Sequence, residues 1–252
     1  MTVAQTAHRK GRHRSAPFST VLLVRHGRTA ANASGTLAGW TPGVDLDEVG
    51  QAQAAQLGLR LAPVPFAAVV TSPLERCRQT AAALLDGRDG TPEHLDQRLG
   101  EVRYGDWTGG ALKDLAKEPL WRSVQAHPSS VTFPGATGES MRSMQQRAVD
   151  AVRDWNAQLG PGATWVAVSH GDVIKAVLAD ALGLHLDQFQ RIQVDPCSVS
   201  VVRYTELRPF VVRMNDTGGG VEALLPPKPD KGRSRRRATD PGEADVGGGA
   251  GP

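Results

Sequence analysis

Two histidines in this 252-residue chain follow apolar runs and precede glycines: His26 in "VLLVRHGRTAANASG" and His170 in "WVAVSHGD". Arg25 adjoins the first, and a further arginine, Arg76, lies one helical turn beyond Thr71-Ser72. Guanidinium groups grip phosphoryl oxygens in fork geometry, and a neutral imidazole in line with an ester bond can act as nucleophile. Brought together, Arg25, Arg76, His26 and His170 would suit a phosphate monoester, whose transfer needs positioning and neutralisation of the equatorial oxygens. His26 is the better nucleophile of the two, being flanked by Arg25, by Gly27 and shortly by Asn32.

An alkoxide leaving group must also be protonated, which calls for a carboxylic acid that holds its proton near working pH. Glu75, Glu101, Asp106 and Asp172 compete for that role. Glu75 and Asp172 stand in helix first turns, where a carboxylate stabilises the helix dipole without doing chemistry. Glu101 and Asp106 share the glycine-rich stretch "RLGEVRYGDWTGG" with Trp107, and spacing alone does not choose between them.

Metal chemistry is the weaker reading of the histidine pair, because no third ligand accompanies it at zinc-like spacing. His94, His127 and His185 read as surface or loop residues. Trp40, Trp107 and Trp121 divide between core packing and pocket walls, and Cys77, next to Arg76, reads as a buried inert thiol.

The elements that must hold these groups alternate between apolar runs of strand length and longer segments of helical period, which predicts an α/β layered fold. "STVLLVRH" has no polar alternation, as in a central strand covered on both faces. "FAAVVTS" and "ATWVAVSH" are further strands, and "SVSVVRYTE" with "LRPFVVRMN" reads as a closing hairpin. Helical patterns run from Asp45 to Leu61, through "SPLERCRQTAAALL" with a serine cap and proline in the first turn, around Leu112 to Ala126, and from Ser140 to a Gly-Pro-Gly stop. Arg25-His26, Thr71-Ser72 and Ser169-His170 therefore fall at strand ends, where open α/β sheets bind ligands beside helix amino termini.

Three regions follow: a basic tail over residues 1–17, one domain over 18–215, and a Gly/Pro/Arg-rich tail over 216–252. Both tails are too poor in large apolar groups to offset the entropy of ordering, so they are expected to be disordered. The formal charge of +3 reflects four basic residues near the amino terminus, and the central segment is close to neutral. No nucleic-acid partner is expected. No span approaches the roughly 20 apolar residues that cross a bilayer, and two cysteines suit a reducing cytoplasm.

"VRHGRTAAN", "TSPLERCRQTA", "LGEVRYGDWTG" and "VAVSHGD", in that order, resemble the phosphoglycerate mutase-like branch of the histidine phosphatase superfamily, over roughly Val21 to Met214. The chain also looks like actinobacterial members of that branch labelled phosphomutases. The resemblance implies a three-layer αβα sandwich with a mostly parallel central sheet, and a phosphohistidine mechanism with no metal and no cofactor. It implies His26 as nucleophile, Arg25, Asn32, Arg76 and His170 as phosphate ligands, and Glu101 as general acid and base. Arg28 departs from the glutamate or glutamine of many relatives; it either reaches a second acidic group of the substrate or points to solvent. Leu37, Trp107 and Arg122 are further candidates for contact with a small phosphorylated metabolite.

Mutases of that branch carry a long basic insertion after the glutamate loop. Only 68 residues separate Glu101 from His170, and they hold no arginine cluster, which favours a phosphatase over a phosphomutase. A non-catalytic phospho-ligand binder would be expected to lack the nucleophile or the acid, and both are present. A homodimer is admitted by the sequence without being dictated by it.

Overall fold

The computed structural model describes residues 18–219 and positions 246, 247, 249 and 251. Its centre is a six-stranded sheet in the order β3-β2-β4-β1-β5-β6. The strands are β1 (Ser19–Arg25), β2 (Val69–Thr71), β3 (Glu93–Leu95), β4 (Thr164–Ser169), β5 (Val199–Tyr204) and β6 (Pro209–Asp216). β1, β4, β2 and β3 run parallel, while β5 is antiparallel to both β1 and β6, so the sheet is mixed but mostly parallel.

Alternation along β1 explains why the run had to be apolar throughout. Val21 and Leu23 join the core beneath α6 (Met141–Leu159) and α7 (Gly171–Ala181), while Leu22 and Val24 join the core beneath α2 (Glu48–Leu61) and α3 (Glu75–Leu85). Successive side chains of a strand point to opposite faces, so a strand covered on both faces needs apolar residues at every position. The result is the expected αβα sandwich. Short helices α1 (Ala30–Ser34), α4 (Leu112–Leu115) and α5 (Pro119–Ala126) fill the connections.

Several local expectations are revised. The helix after β2 begins at Glu75 without a side-chain cap, because apolar Leu74 occupies the cap position; Ser72 lies two residues earlier, with its hydroxyl 2.8 Å from His170 Nε2. The helical stretch around Leu112 to Ala126 breaks into α4 and α5, with Pro119 opening the second. Ser140 does cap α6, accepting from the Ser143 amide. β3 was not anticipated from its sequence.

The boundary expected at residue 215 falls inside β6, which continues through Asp216. The remainder of the expected carboxyl-terminal tail divides. Val246 is 2 % exposed and belongs to the core cluster under α6 and α7, and Gly247 and Gly249 line the cavity at the carboxyl end of β1. The amino-terminal tail, residues 1–17, and most of 220–252 lie outside the described residues. Among the described residues no helix is long and apolar enough to cross a membrane.

Candidate active site

β1 delivers Arg25 and His26 to one end of the sheet, and β4 delivers His170 beside them. The His26 amide donates to the Ser169 carbonyl, continuing the β1–β4 ladder one residue past the strand. The imidazole rings meet edge to face with centroids 5.2 Å apart. The chain then turns tightly: a methyl on Gly27 would come within 2.6 Å of the Gly50 carbonyl, and one on Gly50 would run into the Arg28 carbonyl. The amino end of α2 therefore presses directly on the loop that carries His26, which only glycine at both positions allows.

Hydrogen bonding fixes the state of each ring. His26 Nδ1 lies 2.7 Å from the Gly27 carbonyl, which can only accept, so Nδ1 carries the proton and Nε2 the lone pair. His170 has the opposite tautomer. Arg76 Nη2, which can only donate, lies 3.3 Å from its Nδ1, so the proton is on Nε2 and is donated to the Ser72 hydroxyl. Burial, reinforced by the Arg76 and Arg25 charges, holds the His26 pKa well below the ordinary imidazole value. Burial and the Arg76 charge, followed by His26, act likewise on His170. Both rings are neutral near neutral pH.

Arg25 reaches the Val194 carbonyl through Nη1 at 2.9 Å and the Gly249 carbonyl through Nη2 at 2.7 Å. Val194 belongs to the loop before β5, where Cys197 takes a positive φ of 54° and donates its amide to the Arg25 carbonyl. Arg76 is anchored by the Gly39 carbonyl at 2.9 Å through Nη2, and its buried Nη1 has no hydrogen-bond partner. A buried cationic nitrogen of this kind suits an anionic ligand. The side-chain oxygen of Asn32 closes a capping box with Thr29 at the start of α1, which leaves its amide nitrogen as the group available to a ligand.

Glu101 is 4 % exposed. Its Oε1 accepts from the Val102 amide at 2.9 Å, and its Oε2 faces His170 Nδ1 at 3.8 Å. Burial, with the Asp172 charge second, pushes its pKa up to about 7. Below about pH 7 the 3.8 Å approach is therefore one between a carboxylic acid and a neutral imidazole, and above it Glu101 ionises. Its backbone is braced by Trp40 Nε1 at 2.6 Å and Arg147 Nη2 at 2.9 Å, both donating to its carbonyl. Arg103 covers Trp40 with its guanidinium 4.1 Å from the ring.

Sequence-derived candidates divide on this geometry. His26, Asn32, Leu37, Arg76 and Glu101 line one cavity, with Arg25 and His170 packed against its walls. Arg28 does not line it: its Nε is bonded to Asp47 Oδ2 at 2.8 Å, on the α2 side. Trp107 does not line it either, packing instead against Trp121 and Phe133 in the core. Cys77 is fully buried with its thiol pushed up to about 12, a state without thiolate reactivity.

Three contributors were missed and one took another role. Ser72 orients His170, Tyr104 lines the cavity and donates to Asp172 Oδ2 at 3.0 Å, and Val246, Gly247 and Gly249 line one side; Asp172, weighed above as a candidate acid, instead raises the Glu101 pKa. Tyr104 stood within "RYGDWTG", so position relative to Glu101 was an available signal; the glycine-rich tail offered none. A larger hollow of about 460 Å3 between α2 and the loop before β5 is lined by Arg60 but by none of Arg25, His26, Arg76 and His170.

An αβα sandwich thus brings two neutral histidines, two buried arginines and a glutamate whose pKa is pushed up to about 7 to the carboxyl ends of its parallel strands, a set of groups suited to an anion. The chain belongs to the histidine phosphatase superfamily (branch 1), whose family profile matches residues 21–217. It is 44% identical over 96 residues to the adenosylcobalamin/alpha-ribazole phosphatase of Salmonella typhimurium, a match over 38% of this chain and 46%, about half, of that protein. It is 28% identical over 183 residues to a 2,3-bisphosphoglycerate-dependent phosphoglycerate mutase of Gloeobacter violaceus, over 71% of this chain and 83% of that one. The solved structure of Bacillus stearothermophilus YhfR superposes with a TM-score of 0.72 at 30% identity, covering 79% of this chain and 97% of that one.

Proposed function

We propose that the chain is a metal-independent phosphomonoesterase that works through a phosphoryl group on His26. The observation that carries this is the fixed tautomer of His26, whose Nδ1 proton is committed to Gly27 while Nε2 keeps its lone pair in a cavity containing Arg76 and Glu101, an acid whose pKa is pushed up to about 7. Arg25, Arg76 and Asn32 hold the non-bridging oxygens. Nε2 attacks phosphorus, the N–P bond forms, and the ester O–P bond breaks. The Oε2 proton of Glu101 passes to the departing alkoxide. The resulting carboxylate then takes a proton from the water that attacks phospho-His26, releasing orthophosphate and restoring both groups.

His170 acts in this scheme as a positioning residue. Its Nδ1 addresses Arg76 rather than a phosphoryl oxygen, so it aims the guanidinium fork that receives the substrate. This differs from the direct phosphate contact that the resemblance implies.

Hydrolysis is favoured over phosphoryl transfer within a bound intermediate because Arg76 is the only lysine or arginine among the described residues lining the cavity. A mutase substrate with a second phosphoryl or carboxyl group needs another cation there, and Arg28 is committed to Asp47. Leu37, Leu112 and Tyr104 instead offer an apolar wall to the rest of the ester. The substrate class is accordingly a small phosphomonoester whose alcohol portion is uncharged. Cytoplasmic residence belongs to the same proposal, supported by two buried cysteines that are not joined. So does a homodimer, supported by Phe210, Val212 and Met214, which are exposed on the edge strand β6; a monomeric mass by light scattering would reject it.

The test is turnover on a panel of phosphometabolites, with 3-phosphoglycerate plus 2,3-bisphosphoglycerate included. Orthophosphate release from uncharged monoesters without isomer exchange supports the reading. Exchange between phosphoglycerate isomers overturns it in favour of a mutase, and binding without turnover overturns it in favour of a binder.

A further inference from the structure

Glu101 stands in a stretch, residues 100–104, that belongs to no helix or strand and runs between two short 3-10 turns, Gln97–Leu99 and Gly105–Trp107. Backbone buried without a ladder must find partners for its carbonyls elsewhere. Here one side chain supplies most of them. Arg147, on α6, donates through Nη1 to the Arg98 carbonyl at 2.6 Å and the Gly100 carbonyl at 2.8 Å, and through Nη2 to the Glu101 carbonyl at 2.9 Å. Its two remaining N–H groups go to Glu139, Nε to Oε2 at 3.0 Å and Nη2 to Oε1 at 2.6 Å. All five guanidinium donors are thereby used.

Glu139 extends the grip to the far side of the acid. Its Oε1 also accepts from the Arg103 amide at 2.8 Å, and its own amide donates to the Arg103 carbonyl at 2.9 Å. The Ser169 hydroxyl, one residue before His170, holds the Leu99 carbonyl at 2.6 Å. Trp40 Nε1 shares the Glu101 carbonyl, and its ring lies so close that a methyl on Gly100 would come within 2.3 Å of Cζ2. Each carbonyl from Arg98 to Glu101 is therefore held by a side chain distant in sequence. The Glu101 carboxyl itself is tied only through Oε1, to the Val102 amide, so the aim of Oε2 follows the backbone.

We propose that Arg147, clasped by Glu139, is the positioning residue for Glu101, fixing the backbone from which Oε2 is presented to the leaving-group oxygen. The proposal rests on the reading of Glu101 as the general acid. Arg147 does not line the cavity and has no donor left for a ligand, so it acts only through Glu101. Its charge is offset by Glu139, which makes its contribution geometric. Lysine would keep the charge but not the work, because an ammonium has three donors on one atom and cannot span three carbonyls and a carboxylate.

The experiment measures the single-turnover phosphorylation step with an alkyl phosphate and with nitrophenyl phosphate in the parent, Arg147→Lys, Glu101→Gln and the double variant. Arg147→Lys is expected to slow the alkyl phosphate by about tenfold or more, the scale on which a small misplacement acts, while the nitrophenyl phosphate step and inhibition by orthophosphate stay near parental values. In the Glu101→Gln background the same substitution costs nothing further, since the group it aims is gone. Glu139→Gln keeps the size of the clasp but loosens the bidentate pair, so it gives the same selective loss in smaller measure; it carries the test if Arg147→Lys does not fold. Equal losses on the two substrates, additive losses in the double variant, or undiminished alkyl phosphate turnover would each overturn the positioning role. If Glu101→Gln alone treats the two substrates alike, the reading of Glu101 as the acid fails instead, and the proposal falls with it.

Discussion

At the scale of single residues, the central opposition is between a nucleophile kept neutral and an acid kept protonated. His26→Ala abolishes turnover on this account. Glu101→Gln slows hydrolysis of alkyl phosphates by about a hundredfold or more, the usual worth of general acid catalysis, but affects the phosphorylation step with nitrophenyl phosphate far less, because nitrophenolate leaves unprotonated. Equal losses on the two substrates in single-turnover measurements would remove Glu101 from the role. The pH profile of kcat/KM for an alkyl phosphate falls as Glu101 loses its proton near pH 7. Asp172→Asn removes a negative charge that raises the Glu101 pKa, so that alkaline limb moves to lower pH. Stability follows the same ionisation. The folded pKa of about 7 exceeds the ordinary 4.5, so the contribution from this group is full below the ordinary value and is lost as pH rises through about 7. Glu101→Gln therefore raises Tm relative to the parent at pH 8 and leaves it nearly unchanged at pH 4, as calorimetry can check. The residues that converge here were recognisable because strand ends and histidine-glycine pairs place backbone, and backbone position is what local sequence encodes. Arg28 and Trp107 were not, because the direction of a side chain depends on partners elsewhere: Asp47 draws Arg28 away, and Phe133 and Trp121 enclose Trp107.

The elements show how a residue that reads as a cap can serve another purpose. Ser72 reads as the cap of α3, yet its hydroxyl holds His170, and α3 starts beyond it with Leu74 at the cap position and no side-chain cap. The signal for a cap and the signal for a buried hydroxyl partner are the same residue type in nearly the same place, and the end of β4 supplies the deciding contact from 98 positions away. Asp47 has two tasks, capping α2 through Oδ1 on the Gly50 amide and holding Arg28 through Oδ2. Asp47→Ala costs about 1 kcal/mol of stability as a lost cap, with little effect on kcat, because neither contact reaches the cavity. Gly50→Ala behaves differently: the added methyl meets the Arg28 backbone, forcing α2 away from the loop that carries His26. Denaturant midpoints and kcat together separate the two variants, since Gly50→Ala is expected to lower both.

For the molecule as a whole, the layered fold was legible because the centre of the sheet buries two faces, and that requirement writes itself into β1, β2 and β4 as near-continuous apolar runs, whereas β3 and β6 are largely exposed. The carboxyl-terminal segment was not legible. Its composition is that of a disordered chain, and the placement of Gly249 against Arg25 and of Gly247 against Asp172 depends on groups from distant elements rather than on any local preference. Prolonged incubation with EDTA leaves turnover unchanged if Arg25, Arg76 and Glu101 do the work assigned to them, and restoration of lost activity by an added divalent cation would contradict that assignment. The most direct measurement stops the reaction in alkali during the first turnover and locates the phosphoryl group by peptide mass spectrometry, since phosphohistidine survives base and not acid. The account predicts one phosphoryl group, on His26, absent in His26→Ala and persisting longer in Glu101→Gln. A phosphoryl group on another residue, or turnover with none on His26, would contradict it.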